Sequence, residues 1–418
     1  MKNGRETFWY FLAGLILLLL IFFESFIKVN KDFDVFIGAS NLLLEGKSCY
    51  NVWMPSGKIS LIYFYSPVVA FLFSPLTYLP KQGTYVVWMI LNYFFLYRTF
   101  KCIAYFLDLN TLSEKIKKVF FVLLLICSLR FILYNFDMGQ MTLFLLFASL
   151  ESVRLILEKK TIAGAALLAL AIVVKLLPLP VLAYLIYRKE FKAAISVILF
   201  FISILFLPGL FLGMDFNIRL LQEWWAILKN IGMPSPENDI DRPNLQGMLY
   251  SLLMESSGKV PLKRNIFSFR PETILWTLRI SSAVLVTISI YFLRTFPFRK
   301  IESKMMHFYG LSYLLLIAPL IAPRQENYSL SLAVPAIAYC LYMALKSYQN
   351  HQTSGSKPGI KEILSYAGII LSFIFLTITS DGIIGRPLSR IAEHFYLIQT
   401  GILILILPLS LFVPAWKK

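Results

Sequence analysis

Apolar residues run in long blocks from one end of this chain to the other, and charged residues fall mostly in the gaps between them. A helix needs about 20 predominantly apolar residues to cross the hydrocarbon core of a bilayer. The pattern predicts helices over 8–27, 84–106, 117–134, 139–158, 162–187, 192–213, 273–294, 305–321, 327–346, 363–380 and 395–414. Barrel strands would alternate apolar and polar residues instead. The expected fold class is all-α: a polytopic integral membrane protein in which 1–418 form one membrane-embedded domain. About 11–13 of its helices should cross or half-cross the membrane. Residues 1–27 do not read as a cleavable signal peptide, because the apolar run is too long and no small-x-small site follows it.

Two segments break the simple pattern. Pro67 and Pro75 interrupt the apolar run 61–79. Lys175, Pro178 and Pro180 fall in the middle of 162–187. Charge resolves both. The connections 98–118, 154–160, 188–192, 294–304 and 346–361 carry five, three, three, four and three Lys or Arg, so the positive-inside rule places them in the cytoplasm. With both 154–160 and 188–192 inside, 162–187 becomes two short helices, 162–174 and 178–187, with Lys175 at an outer tip. By the same logic 61–79 begins and ends outside, as a re-entrant segment buried in protein or lining a cavity. Both termini are then cytoplasmic. Two long outer connections remain, 28–60 and 214–272, and loops of such length in a compact protein usually carry function.

Composition narrows the function classes. The chain is 58% hydrophobic with a mean hydropathy of +0.70. Its net charge of +17 sits largely at helix ends, where it suits membrane lipid headgroups rather than nucleic acid. The four cysteines (Cys49, Cys102, Cys127 and Cys340) and three histidines have no disulfide or zinc spacing. No phosphate-binding loop or dinucleotide fingerprint is present, and no inverted repeat of the transporter kind is visible. No cofactor is expected. The pair Asp32 and Asp34 could hold a divalent cation weakly, which EDTA sensitivity would test.

The candidate chemistry gathers on the predicted outer face: Asp32, Asp34, Tyr65, Asp137, Gln140, Lys175, Asn244, Gln246, Arg324, Glu326, Asn327 and Tyr328. Acidic groups held at a membrane boundary are costly, which suggests use. Basic groups at headgroup level suit phosphate, and a carboxylate suits proton abstraction from an attacking hydroxyl. Each has a structural alternative. Lys175 snorkels or binds an anion. Arg324 caps a helix, pairs with Glu326 or binds phosphate. Asp137 and Gln140 are N-caps of helix 139–158 or site residues. Asn244 and Gln246 are turn residues or ligands. Tyr63 and Tyr65 belong to an interfacial belt or stack on a sugar.

Several of these residues sit in motifs that resemble a known family. The run DFDVFIGASNLLLEGKSCY is similar to the D-x-x-V-Y/F-x-x-A-x-x-L-x-x-G opening of glycosyltransferase family 87 membrane enzymes, the DUF2029 group. YFYSPVVAFLFSPLTYLP resembles that family's Y-x-P-P segment, MGQMTLFLLFASLE its G-Q-x-N helix start, the stretch around Lys175 its K-x-x-P segment, and RPNLQGML its N-Q-S element. The same order appears more faintly in eukaryotic GPI mannosyltransferase I catalytic subunits. Thr142, Val68 and Leu245 depart from the pattern, and IAPRQENYSL replaces a late His-rich element.

The resemblance implies a GT-C fold and inverting transfer of a hexose, usually mannose, from a polyprenyl-phosphate donor. The acceptor would be a lipid or glycan on the outer face of the cytoplasmic membrane. It assigns the catalytic base to Asp32, since Val35, Phe36 and Ala39 follow at matching offsets, while Asp34 falls where the family is not consistently acidic. Lys175 and Gln140 match the family's lysine and glutamine. The readings from other classes are a transporter or flippase of a lipid-linked or anionic solute, and a non-catalytic assembly subunit.

Overall fold

The computed structural model describes residues 32–414, apart from 57, 58, 257 and 259. The expected first span, 8–27, lies outside the described residues. The described residues open on helix α1 (Asp32–Leu44), with Asp32 and Asp34 in its first turn. Carboxylates there interact favourably with the positive end of the helix dipole. Phe33, Phe36, Ala39 and Leu43 are buried. A hairpin of β1 (Trp53–Ser56) and β2 (Ile59–Ile62) follows, antiparallel with Trp53 opposite Ile62. The segment 28–60, expected as a loop, is therefore ordered secondary structure over most of its length, because its alternate apolar residues have a face to bury.

The run 61–79 is a short helix, α2 (Pro67–Phe73), continued by a 3-10 turn, Ser74–Tyr78. Pro67 opens α2 and Pro75 opens the turn, at positions where proline costs no helix hydrogen bond. By rise per residue, α2 and its turn reach about 20 Å, short of the ~30 Å hydrocarbon core. They have the length of a re-entrant or surface-lying segment. Ser40 Oγ donates to Ala70 O at 2.7 Å and ties α1 to α2.

The long helices follow: α3 (Lys81–Phe106), α4 (Glu114–Met138), α5 (Thr142–Leu157), α6 (Thr161–Val174), α7 (Leu179–Tyr187) and α8 (Phe191–Phe206). The break between α6 and α7 falls where the two-helix reading placed it. Lys175 is extended (φ −158°, ψ 137°) and ends α6; Pro178 and Pro180 have no N–H to continue the ladder. Helices α9 (Met214–Gly232), α10 (Leu245–Leu253), α11 (Pro271–Leu293), α12 (Lys304–Ile321) and α13 (Val334–Ser354) come next. The expected loop 214–272 is thus mostly helical; α9 buries one stripe, Asn217, Leu220, Trp224 and Ile227, flanked by partly buried Phe216, Leu221, Leu228 and Ile231.

Helix α14 (Ile360–Phe373) ends in a π turn. The helix expected over 395–414 is found over Leu397–Leu411, in two consecutive pieces joined at Leu405, which keeps right-handed helical angles. Helix α15 (Asp381–His394) meets α16 (Leu397–Ile404) and α17 (Ile406–Leu411) at a 71° bend, hinged at Tyr396, whose φ is 58°.

Among the described residues seven helices are long and apolar enough to span, and the chain is an all-α polytopic membrane protein. In the most apolar stretches of Lys304–Ile321 and Asn327–Ser354, 83% of residues are buried, against 17% for Phe191–Leu212 and Pro271–Leu293. The first two are the centre of the bundle. The last two turn apolar side chains outward, as lipid-facing helices do.

Candidate active site

The turn between α4 and α5 organises the site. Gly139 ends α4 in the left-handed region (φ 64°), which glycine enters without steric cost. Trp88 Nε1 donates to Gly139 O at 2.7 Å and Tyr85 Oη to Phe136 O at 2.9 Å. The cap of α5 comes from Asn135, whose Oδ1 accepts from Thr142 N at 3.1 Å. Neither Asp137 nor Gln140 is an N-cap of α5: Asp137 lies in the last turn of α4, and Gln140 is in the turn itself.

With the cap supplied by Asn135, the Gln140 side chain is available to other groups. It is 2% exposed. Its Oε1 accepts from Tyr65 Oη at 2.8 Å, and its Nε2 donates to Asp32 Oδ2. An amide that accepts at one end and donates at the other orients the carboxylate from behind. Residues Tyr65, Gln140 and Asp32, 75 positions apart for the first pair and 108 for the second, thus form one chain of hydrogen bonds.

Lys175 faces this chain. Its Nζ lies 5.9 Å from the Tyr65 ring centroid and 5.4 Å from that of Tyr328, within the range of cation–π attraction. Burial pushes the Asp32 carboxyl above its ordinary range; the Gln140 hydrogen bond and Lys175 pull it down, and Glu326 pushes it up. Loss of hydration lowers Lys175, in the break between two helices, to about 8 against the pull of Asp32 and Glu326. Burial also holds the Tyr65 hydroxyl protonated, as a donor to Gln140 must be.

The other expected residues sit elsewhere. Asp34 is bound to Lys81 Nζ at 3.0 Å and accepts from Ser56 Oγ at 3.4 Å. Two residues apart on a helix, Asp32 and Asp34 point to opposite sides, so the pair does not act on one point. Asn244 caps α10, accepting from Gly247 N at 2.8 Å and donating to Ala322 O at 3.0 Å. Gln246 donates to Asp239, which is 1% exposed and whose carboxyl burial raises. Both amides are thus engaged in fastening α10 to the neighbouring loop. Arg324, in the left-handed region (φ 47°), acts electrostatically on Asp239.

Asp137 lines a cavity of about 1110 Å³ between α4, the Glu326–Asn327 turn, the end of α14, and α15. Arg130 also lines it, pairing with Glu393 at 3.0 Å and donating to Thr379 at 2.9 Å. Sequence reading passed over Arg130, although a guanidinium eight residues before the end of an apolar helix is a signal in itself. Glu326, paired with Arg242, joins the cavity to Asp32. Among the described residues no three His, Cys, Asp or Glu converge as metal ligands.

The model of glycosyltransferase family 87 matches residues 63–323, well over half of the 418 residues. The chain belongs to glycosyltransferase family 87. No curated protein and no solved structure matches it. The matched region of this glycosyltransferase contains Tyr65, Gln140 and Lys175; Asp32, Arg324 and Glu326 fall outside it.

Gly139 offers a test of how tightly the site is built. A Cβ there would sit 2.6 Å from Phe33 Cβ, and the positive φ adds strain of order 1 kcal/mol for a non-glycine residue. Gly139→Ala should push α1 away from the turn and carry Asp32 off Gln140. The glycosyltransferase should lose at least tenfold in kcat and several degrees in Tm; a variant with unchanged kcat would mean that the contact does not position Asp32.

Proposed function

We propose that this family 87 enzyme is a GT-C-type, inverting hexosyltransferase. It takes a hexose from a polyprenyl-phosphate donor and passes it to a lipid- or glycan-linked acceptor on the outer face of the cytoplasmic membrane. Mannose is the first sugar to test. The observation that carries the reading is the carboxylate of Asp32, held by Gln140 and acted on electrostatically by Lys175, which lies over the Tyr65 ring.

Asp32 takes the proton of the acceptor hydroxyl as its oxygen attacks the anomeric carbon. The bond from that carbon to the phosphate oxygen breaks, and both its electrons leave with the polyprenyl phosphate. Lys175 holds the phosphate and balances the charge that grows on it. Phosphate leaves without a second acid, so one carboxylate suffices. Tyr65 and Gln140 keep the Asp32 oxygen aimed at the hydroxyl. Arg324, which acts electrostatically on Asp239 and whose Nε is buried without a hydrogen-bond partner, is the second candidate to hold the donor phosphate. Membership of a glycosyltransferase family favours transfer over the transporter reading.

The protonation states give a pH profile. Asp32 must be unprotonated, and burial raises its carboxyl, so kcat/KM should rise with pH through the acid range and level off later than for an ordinary carboxylate. Lys175 must be protonated, so kcat/KM should fall again as pH passes about 8. Lys175→Arg should remove the alkaline limb while keeping activity, since a guanidinium stays charged there. A profile flat from neutral to strongly alkaline pH would contradict the role of Lys175.

Purified protein in nanodiscs, given polyprenyl-phosphate mannose, polyprenyl-phosphate glucose and nucleotide sugars with a panel of glycolipid acceptors, tests the whole reading. Transfer from the polyprenyl donors alone is expected. Transfer from a nucleotide sugar would overturn the donor class.

A further inference from the structure

The turns at the far end of the bundle carry chemistry that sugar transfer does not use. Helix α12 has 18 residues, so about 27 Å separates its Lys304 end from its Ile321 end, beside the turn that holds Arg324 and Glu326. Two connections lie at that far end: 187–192 after α7, and 294–304 after α11. Together they hold seven Lys or Arg and two carboxylates, Glu190 and Glu302. Glu190 pairs with Lys300 at 2.9 Å and joins the two connections. Lys189, Lys192, Arg294 and Arg299 are exposed, and among the described residues none of them has a carboxylate partner.

Buried groups fix the second connection in place. Arg188, 1% exposed, donates to Leu293 O at 2.8 Å and to Thr295 Oγ1 at 2.6 Å. Tyr187 Oη donates to Thr295 O, and Phe298 N donates to Tyr187 O at 2.7 Å. On this held loop Phe296 is 75% exposed and Phe298 55%. Phe298 has a φ of 61°, a conformation costly for a bulky residue and easier for asparagine or glycine. A strained backbone that displays a large apolar ring points to a partner for the ring.

The neighbouring surface identifies that partner as lipid. Phe298 packs against Phe191 at 5.8 Å, where the outward apolar row of α8, with Ile195, Leu199 and Ile202, begins. Helix α11, also lipid-facing, ends at exposed Tyr291. Charge starts where these rows stop: Arg299 lies over the Phe296 ring at 5.7 Å and Arg294 over Tyr291 at 5.1 Å. Rings with cations against them suit the boundary between acyl chains and headgroups. Unpaired cations at that level attract anionic headgroups, and a guanidinium can hold a phosphate through two parallel hydrogen bonds. We propose that the 294–299 loop, with Lys189 and Lys192 beside it, is a docking site for anionic phospholipid. Phe296 and Phe298 enter the acyl layer, and Arg294 and Arg299 hold headgroup phosphates.

The full-length protein in nanodiscs of phosphatidylglycerol or of phosphatidylcholine, with the same acyl chains, tests this. Wild type should melt several degrees higher in phosphatidylglycerol, and native mass spectrometry should show bound phosphatidylglycerol surviving release from the disc. Arg294→Gln/Arg299→Gln should lose at least half of that rise and most of the retained lipid, with Tm in phosphatidylcholine unchanged. Lys357→Gln/Lys361→Gln removes equal charge from exposed positions elsewhere and should keep both. Phe298→Asn suits the left-handed backbone, so it should be as stable as wild type in lipid-free detergent and still lose the phosphatidylglycerol rise. Equal Tm of wild type in the two lipids would overturn the proposal, as would equal losses in the two charge variants, which would make the effect one of net charge. A Phe298→Asn variant that lost the same stability in detergent and in both discs would show the ring to be a packing element. A dimer in wild type that becomes a monomer in Phe298→Asn would make the patch an interface between copies. Either result also overturns the proposal.

Discussion

Replacing Asp32 by Asn should lower kcat for hexose transfer by roughly 10²- to 10⁴-fold, the range that a positioned general base supplies. The substitution keeps shape and keeps an oxygen that can accept from Gln140 Nε2, so α1 and its contacts should survive. It removes the lone pair basic enough to take the acceptor proton. Donor affinity should change little or improve slightly, because a negative charge facing the phosphate is gone. The acid limb of the pH profile should disappear with the activity. Asp34→Asn supplies the control: its carboxylate holds Lys81 at a half-exposed ion pair, a contact worth up to about 1 kcal/mol, and transfer should fall by less than threefold. Equal losses in the two variants, measured with donor and acceptor saturating, would mean that the pair acts through local structure alone.

The second large effect belongs to Lys175. Lys175→Gln should cut kcat/KM about 30- to 150-fold, since a hydrogen bond to a charged group is worth about 2–3 kcal/mol. The loss should appear in donor KM and in kcat, and acceptor KM should hold. Part of the lysine's cost is met by the rings of Tyr65 and Tyr328, so Gln, smaller and neutral, should leave the protein at least as stable as wild type. Kinetic runs with the donor varied at fixed acceptor separate these effects. A variant that lost only acceptor affinity would place Lys175 on the wrong substrate.

Much of this architecture is visible in the sequence because the membrane simplifies the code. Apolar blocks mark helices, Lys and Arg mark the ends, and the prolines at 178 and 180 with Lys175 between two apolar runs mark a broken pair. What stays hidden is the structure of segments that are neither fully apolar nor plainly polar. Helices α1 and α9 bury one stripe each, and against a background of 20-residue apolar blocks their mixed composition reads as loop.

The site is legible in the same uneven way. Asp32, Gln140, Tyr65 and Lys175 come together in the structure. The tertiary facts that set them apart from Asp34, Asn244 and Gln246 have no local signature. Asn135 caps α5 from the preceding helix, which releases Gln140; nothing in the spacing of Asn135, Asp137 and Gln140 tells which of them caps. Asn244 and Gln246 look like ligands until Ala322 and Asp239 are seen to use them.

The central claim is that Asp32 drives inverting transfer from a polyprenyl-phosphate hexose. A single-turnover measurement tests it most directly. Enzyme in excess is loaded with labelled polyprenyl-phosphate mannose, acceptor is added, and the rate and anomeric configuration of the product are read for wild type and Asp32→Asn. The account predicts one rapid turnover with inverted configuration in wild type, and equal donor loading with turnover slowed at least a hundredfold in the variant. Full-speed turnover by Asp32→Asn, or product with retained configuration, would contradict it.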